Sequence, residues 1–235
     1  MTGGIGTLGE RSLHAQLKRW YAKPADRFEQ PVDGYVIDLV RGELLVELQT
    51  GSFGPIRRKL ETLTNAHPVR VVHPIACETW IVRFDATGAE RLGRRKSPRR
   101  RDVHALFEVL VGVPDLVARP ALEIEALLVR VEEERHADGR GSWRRQGQSI
   151  VDRRLLAVTG RRLFAGPADF LALVPPAIGD PFTTRDLSAA LDLPLWLARK
   201  MAYCLKRMGA VRPVGKRVNA ILYERAPAPA GAVSR

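Results

Sequence analysis

Two short apolar runs separated by a glycine constrain the fold of this chain more than any other feature. Residues Tyr35–Val40 and Glu43–Thr50 are rich in β-branched and other apolar side chains, and Arg41-Gly42 divides them. Apolar runs on either side of a glycine-containing turn predict a β-hairpin. The hairpin is therefore the element from which the rest of the fold can be built.

The hairpin register decides which side chains share a face. With a two-residue loop at Arg41-Gly42, residues whose numbers sum to 83 pair, and Asp38 faces Leu45. Strand alternation then places Asp38, Glu47 and Gln49 on one face. Asp38 and Glu47 become diagonal neighbours with Cα atoms roughly 7–8 Å apart. An odd-length loop would send Asp38 to the opposite face.

Two carboxylates on one sheet face repel each other unless a cation lies between them. Mg²⁺ binds through one or two carboxylates together with waters and substrate phosphate oxygens. Asp38 and Glu47 therefore predict a centre for Mg²⁺ (or Mn²⁺) that hydrolyses a phosphodiester. The plain alternative is a solvated hairpin face, where Asp and Glu are common.

The segments around the hairpin predict an α/β unit. Apolar residues at helical spacing predict a helix from Thr7 to about Tyr21. A strand at Arg27–Val32 follows, and a second helix opens at Pro55 after the hairpin. Strands at Val69–His73 and Thr79–Phe84 complete the unit. This order predicts helices packed on a mixed sheet.

The arrangement resembles the PD-(D/E)XK nuclease superfamily, which has the restriction-endonuclease-like fold. Asp38 matches the first acidic position, and Glu47-Leu48-Gln49 matches the acid-x-Lys segment with Gln in place of Lys. Glu10, His14 and Lys18 match the helix ahead of the strands in CoiA-like nucleases, which also use Glu-x-Gln. The chain as a whole looks like an uncharacterised bacterial family that adds a C-terminal winged helix.

The resemblance spans about residues 8–85 and implies a metal-dependent nuclease. It implies metal binding by Asp38 and Glu47, with Gln49 positioning the attacking water. Gln donates only a neutral hydrogen bond, so a cation such as Lys18 or Lys59 is expected to replace the lysine. The predicted catalytic residues are Glu10, Asp38, Glu47, Gln49 and Lys59.

The residues on the first helix also have simpler interpretations. Glu10 is three residues after Thr7 and fits a capping box. Taken alone, His14 is expected to be a surface histidine and Lys18 a solvated lysine.

The last part of the chain predicts a winged helix-turn-helix. A short helix runs through Leu191, a second from about Leu195 to Met208, and a hairpin turns at Gly215-Lys216. No acidic residue lies between Arg199 and Tyr223, which favours a nucleic-acid surface over domain packing or dimerisation. The predicted nucleic-acid-binding residues are Arg57, Arg58, Arg199, Lys200, Tyr203, Lys206, Arg207, Lys216 and Arg217.

Charge and composition limit the classes to which this protein can belong. The 235 residues include 38 Lys and Arg against 26 Asp and Glu, a formal charge of +12. Such a surplus indicates a polyanionic partner, although an Arg-rich chain is also what a GC-rich genome gives. No apolar run approaches the roughly 18 residues of a membrane span, and no secretory signal is visible. We expect a cytoplasmic protein without a membrane partner.

The predicted domains follow these patterns. Residues 1–93 form the nuclease domain, 94–176 an Arg-rich connector and mixed middle region, 177–225 the winged helix and 226–235 a disordered tail. The predicted function is a metal-dependent nuclease acting on nucleic acid, with double-stranded DNA as the expected partner. A non-catalytic DNA-binding regulator and a protein-interaction module are the alternatives. A homodimer is left open.

Overall fold

A computed structural model describes the backbone of residues 7–227 and the side chains of residues 12–227. The helices are α1 (Thr7–Tyr21), α2 (Arg57–Leu63), α3 (Phe107–Leu110), α4 (Pro167–Leu171), α5 (Thr184–Ala190) and α6 (Leu195–Arg207). The strands are β1 (Arg27–Val32), β2 (Tyr35–Arg41), β3 (Leu44–Leu48), β4 (Val69–Phe84), β5 (Arg91–Lys96), β6 (Leu122–His136), β7 (Ser149–Phe164), β8 (Val211–Arg217) and β9 (Ala220–Arg225). The predicted disordered tail extends beyond these described residues.

A seven-stranded sheet dominates the α/β fold. Its strands follow the order β1-β2-β3-β4-β6-β7, and β5 pairs with β4. Strands β8 and β9 form a separate two-stranded sheet. The predicted class, a large mixed sheet flanked by helices, is confirmed at this level. None of the helices within the described part of the chain has the length and apolarity needed to cross a bilayer.

The chain divides into two compact units that interleave in sequence. The first comprises Met1–Thr50, Val71–Val103 and Glu125–Arg162. The second comprises Gly51–Arg70, His104–Ile124 and Leu163–Arg235. The boundaries predicted after residues 93 and 176 therefore do not separate these units, because segments far apart in sequence belong to the same one.

Helix α1 packs its apolar stripe on the sheet of the first unit. Leu13, Leu17 and Tyr21 are spaced by one turn each and are buried. They join one apolar cluster with residues from four strands: Leu39, Val46, Leu48, Val72, Leu127, Val129 and Val131. This packing fixes which face of α1 lies above strands β2 and β3.

Polar contacts hold the C-terminal end of α1 in place. The Arg41 guanidinium, at the end of β2, donates to both carboxylate oxygens of Asp26 at 2.8 and 2.7 Å and to the Tyr21 carbonyl at 3.0 Å. The Tyr21 hydroxyl donates to the buried Glu125 carboxylate at 2.5 Å. Because α1 is anchored to β2 and β6, its polar face has a defined position over the hairpin.

The hairpin exists, but its register differs from the predicted one. Leu39 pairs with Val46, Val40 with Leu45 and Arg41 with Leu44. The turn is therefore Gly42-Glu43, and paired numbers sum to 85 instead of 83. Gly42 adopts a positive φ of 59°, which suits the first central position of a two-residue hairpin loop. Since both loops have even length, Asp38 and Glu47 stay on the same side of their strands.

The middle of the chain is more regular than the sequence indicates. The two strands predicted at Val69–His73 and Thr79–Phe84 are one sixteen-residue strand, β4. Strand β5 takes in the first three residues of the predicted Arg-rich connector, 94–96, and pairs antiparallel with β4. Its residues are nearly all exposed, as is usual where charges protect a sheet edge.

The C-terminal part of the second unit follows the predicted order of elements. Thr183 and Asp186 form a capping box at the start of α5. Leu197, Met201 and Leu205 form the buried stripe of α6. The final hairpin turns after Arg217 and before Ala220, so the turn predicted at Gly215-Lys216 is wrong. Val218 occupies this turn with a positive φ of 57°.

Candidate functional site

The Asp38 carboxylate is the centre of a polar cluster above the hairpin. Its Oδ1 lies 2.9 Å from the Lys18 ammonium, and its Oδ2 lies 3.3 Å from His14 Nε2. The Leu48 backbone N–H donates to Oδ2 at 2.9 Å. Asp38 and Lys18 each expose only 14% of their side chains. The cluster is thus a partly buried ion pair assembled from α1, β2 and β3.

The cluster keeps Asp38 ionised to unusually low pH. Burial on its own raises the pKa of a carboxyl group. Hydrogen bonds from His14, Lys18 and the Leu48 amide outweigh burial and lower the pKa of Asp38 to about 2. The hydrogen bond to Asp38 in turn raises the pKa of His14 against the effect of its own burial. Asp38 is therefore a permanent negative charge at any physiological pH.

The helical repeat explains how α1 supplies both cationic groups. His14 and Lys18 are four residues apart and so lie on one face, next to the apolar stripe that contains Leu13 and Leu17. Burial of that stripe turns the polar face toward Asp38. The expectations of a surface His14 and a solvated Lys18 are therefore wrong, because the neighbouring carboxylate compensates their partial burial.

Glu47 belongs to the same cluster. The observed register, continued by one pair, sets Glu47 directly opposite Asp38 on β3. The negative charge of Glu47 contributes to the raised pKa of His14, which places Glu47 in the electrostatic environment of that imidazole. Directly opposed residues have Cβ atoms about 4.5–5.5 Å apart, so this register predicts a closer spacing of the two acids than the diagonal one expected from the sequence.

Glu29 is a third carboxylate at this level of the sheet, and sequence reasoning left it unused. The β1–β2 register pairs Phe28 with Leu39 and Gln30 with Ile37, so Glu29 lies between these pairs beside Asp38. Its φ of 51° interrupts the regular strand. Its carboxylate accepts a hydrogen bond from the Lys18 ammonium at 3.1 Å. Lys18 thus bridges carboxylates of two adjacent strands.

Gln49 directly follows β3 and has a fixed backbone position. Its N–H donates to the Val72 carbonyl at 2.9 Å. Its own carbonyl accepts from His73 Nδ1 at 2.6 Å. Burial lowers the pKa of His73 to about 4, so this histidine is neutral and its Nδ1–H is available to donate. These bonds hold the chain next to Glu47.

Two predicted catalytic residues are not part of the described cluster. The side chain of Glu10 lies outside the described residues. Lys59 is half-buried on α2, in the second unit. Within residues 12–227, no group of three or more His, Cys, Asp or Glu side chains is arranged to hold a metal ion. Asp38 and Glu47 are a two-carboxylate set, which matches Mg²⁺ only when waters and phosphate oxygens complete its coordination.

Helix α6 presents the predicted basic face. Trp196 and Tyr203 are 44% and 46% exposed and lie two turns apart. The Lys200 ammonium sits 5.6 Å from the centroid of the Trp196 indole. Four cations share this side of the helix at the spacing of its turns: Arg199, Lys200, Lys206 and Arg207. The face therefore combines positive charge with two aromatic side chains.

Other predicted nucleic-acid contacts differ in their availability. Arg57 forms a bidentate ion pair with Asp115 at 2.9 and 2.6 Å and a further one with Glu61 at 2.8 Å. Arg58 is exposed. In the final hairpin, Arg217 is paired with Asp186 at 2.9 Å. Lys216 is exposed one pair before the turn. Arg57 and Arg217 thus have structural partners, whereas Arg58 and Lys216 face solvent.

Comparison with known proteins places residues 11–165 in the domain of unknown function DUF8091. The chain belongs to this family. The matched segment contains the hairpin, His14, Lys18 and the long strands β4, β6 and β7, and it ends before α4. An uncharacterized protein of Treponema pallidum (strain Nichols) is 27% identical over 224 residues, covering 95% of this chain and 88% of that protein. No solved structure matches the chain.

Proposed function

We propose that this DUF8091 protein is a metal-dependent nuclease whose reaction centre is built around Asp38 and Glu47. The observation that supports it is the convergence of two carboxylates from adjacent strands with Lys18 and His14 from α1. A bound Mg²⁺ or Mn²⁺ would polarise the phosphodiester and lower the pKa of an attacking water. The similarity to PD-(D/E)XK nucleases described above points to the same chemistry.

In this proposal each residue of the cluster has a separate part. Asp38, ionised down to about pH 2, and Glu47 hold the metal. Lys18 supplies the cation that Gln49 lacks and stabilises negative charge on the phosphate. His14 orients Asp38 through its hydrogen bond. Gln49 positions water with its amide, and the His73 bond fixes its backbone.

We interpret the C-terminal elements α5, α6, β8 and β9 as a winged helix that binds DNA. The order helix, turn, helix, hairpin supports this interpretation. The aromatic and basic face of α6 has the groups that a major-groove helix uses for phosphates and base edges. Lys216 lies near the hairpin turn, where a wing contacts the backbone.

A DNA-binding regulator without catalysis is the second candidate. It is favoured by the Asp38 contacts, because both of its oxygens already accept hydrogen bonds or ion pairs from this chain. A metal would have to displace the Lys18 ammonium or share Asp38 with it. In this role the ion pair is a permanent structural substitute for the metal.

Cleavage assays distinguish the two candidates. The purified full chain would be incubated with labelled double-stranded DNA, single-stranded DNA and RNA, in Mg²⁺, Mn²⁺ or EDTA. We expect metal-dependent cleavage that falls by roughly 100-fold or more in Glu47→Gln. The matched control Glu43→Gln changes an exposed residue of the turn, four positions before Glu47, and should cleave normally.

Two results would contradict the nuclease proposal. One is cleavage that persists at full rate in Glu47→Gln, which would indicate a contaminating enzyme. The other is tight DNA binding by the wild-type chain without cleavage in either metal, which would favour the regulator.

A further inference from the structure

A second charged site in the first unit shares no residue with the Asp38 cluster. A cleft of about 360 Å³ opens at strands β4 to β7. Its lining combines two apolar residues of β4 with three arginines and two glutamates: Val82, Phe84, Arg91, Arg94, Arg154, Glu132 and Glu134. The volume falls in the range of small-molecule sites, about 300–1,000 Å³.

An irregularity in β5 points two arginines into this cleft. Val82 pairs with Arg94 and Phe84 with Arg91, and the register shifts between them. In a regular strand, residues three positions apart project to opposite faces. The extra residue, Leu92, is a β-bulge that brings Arg91 and Arg94 to the same side. Bulges that redirect side chains are frequent beside functional sites.

The ion pairs of the cleft leave a positive charge available. Arg94 Nε lies 2.8 Å from Glu132, and His136 Nε2 lies 3.0 Å from Glu134. Arg154 is more loosely placed, 3.7 Å from Glu134 and 3.6 Å from Asp152, and is 59% exposed. Arg91 is exposed and has no ion-pair partner within residues 12–227. The cleft therefore offers one unpaired and one weakly paired guanidinium above an apolar floor.

We propose that this cleft binds one nucleotide, with its phosphate on Arg91 and Arg154 and its base against Val82 and Phe84. Guanidinium groups bind phosphate oxygens through charge-assisted, often bidentate hydrogen bonds. The Phe84 ring lines the cleft, half-buried and tilted against His136 with 5.8 Å between ring centroids, and offers the base an aromatic contact. Glu132 and Glu134 supply acceptors for base amino groups or ribose hydroxyls.

Nucleotide binding here is separable from the proposed cleavage. The cleft shares no residue with the Asp38 cluster, so Glu47→Gln should bind nucleotides as the wild type does. The nucleotide has two sources, a free mononucleotide or one unit of a nucleic-acid strand. Their shared chemistry is a phosphate ester that carries a planar base.

Calorimetry with defined probes tests the site. The probes are 5′-AMP, adenosine, inorganic phosphate and a ten-residue oligo(dA), each titrated into the full chain at low ionic strength. We expect 5′-AMP to bind at least about tenfold more tightly than adenosine, because a phosphate contact through Arg is charge-assisted. Arg91→Ala should weaken 5′-AMP binding by a similar factor.

Arg83→Ala is the matched control. Arg83 is exposed on β4 between Val82 and Phe84, and strand alternation turns it away from the cleft. Arg83→Ala removes one positive charge, as Arg91→Ala does, and should leave 5′-AMP binding unchanged. If only oligo(dA) binds, and binds through Arg91, a strand is the source and the proposal holds. If neither 5′-AMP nor oligo(dA) binds, or if both bind Arg91→Ala as tightly as they bind the wild type, the proposal is overturned.

Discussion

The Lys18 ammonium lies 2.9 Å from Oδ1 of Asp38, and both side chains are largely removed from solvent. One group comes from a helix and the other from a strand 20 residues later in the sequence. Their attraction compensates the burial of each charge, and the Leu48 amide satisfies the remaining oxygen. The pair thus stabilises the packing of α1 on the hairpin and also creates the polar site.

Asp38 should make the stability of the chain depend on acid pH. Its pKa is about 2 when folded and close to 3.9 when unfolded. A lowered folded pKa stabilises the protein above the unfolded value, and this contribution disappears as the pH falls through the folded value. We expect about 2 kcal/mol of unfolding free energy to be lost between about pH 5 and pH 2.

Urea unfolding of Asp38→Asn checks this expectation. The wild type and Asp38→Asn differ in free energy of unfolding, and this difference should shrink by about 2 kcal/mol as the pH falls from about 5 to 2. The free energy of unfolding of Asp192→Asn, changed in the exposed turn between α5 and α6, should follow that of the wild type throughout. A pH-independent difference for Asp38→Asn would show that its carboxylate is not selectively ionised in the folded state.

His14 should titrate above its ordinary pKa of about 6.5. A raised folded pKa means that its stabilising effect is complete below that ordinary value and is lost as the pH rises through the folded value. NMR of the His14 Cε1–H resonance measures the midpoint of its pH titration. This midpoint should be lower in Asp38→Asn than in wild type and, by less, in Glu47→Gln. The midpoint in Glu43→Gln should equal that of wild type. Equal midpoints in all four proteins would contradict the assigned contacts.

The two cysteines should react at very different rates. Burial raises the pKa of Cys204 to about 12, and its side chain lies on the buried face of α6, fully enclosed. Cys77 is half-buried, with its thiol donating to the Val129 carbonyl at 3.2 Å. Because thiolates are the reactive species, native protein should titrate at most one thiol with a disulfide reagent. Cys77→Ser should then react only on unfolding, and rapid labelling of that variant would contradict the burial of Cys204.

The periodic parts of the fold were accessible from the sequence. The apolar stripe of α1, the hairpin and the order of α5, α6 and the final strands follow from local spacing alone. It was also predictable that Asp38 and Glu47 share a face, because this depends only on whether the number of loop residues is even or odd. The turn itself was misplaced by one residue, although the preference of Gly42 for positive φ marks the correct position.

Features that depend on distant contacts were not accessible. Lys18 and His14 look like surface residues until Leu13 and Leu17 fix the helix against the strands. The position of Glu29 depends on a positive φ inside a strand, for which the sequence carries no signal. The Arg-rich run resembles a connector because β5 is charged and almost wholly exposed, so its pairing with the preceding strand β4 leaves no apolar alternation in the sequence.

DNA binding through α6 should show a strong dependence on salt. Each phosphate contact releases counterions, so about six contacts give a slope near −5 in a plot of log affinity against log salt. Lys206→Ala removes one exposed cation of α6 and should reduce the magnitude of that slope by about 1. Lys23→Ala removes an exposed cation after α1 and should leave it unchanged. Fluorescence anisotropy at several salt concentrations measures both slopes, and equal slopes in the two variants would exclude the α6 face as the binding surface.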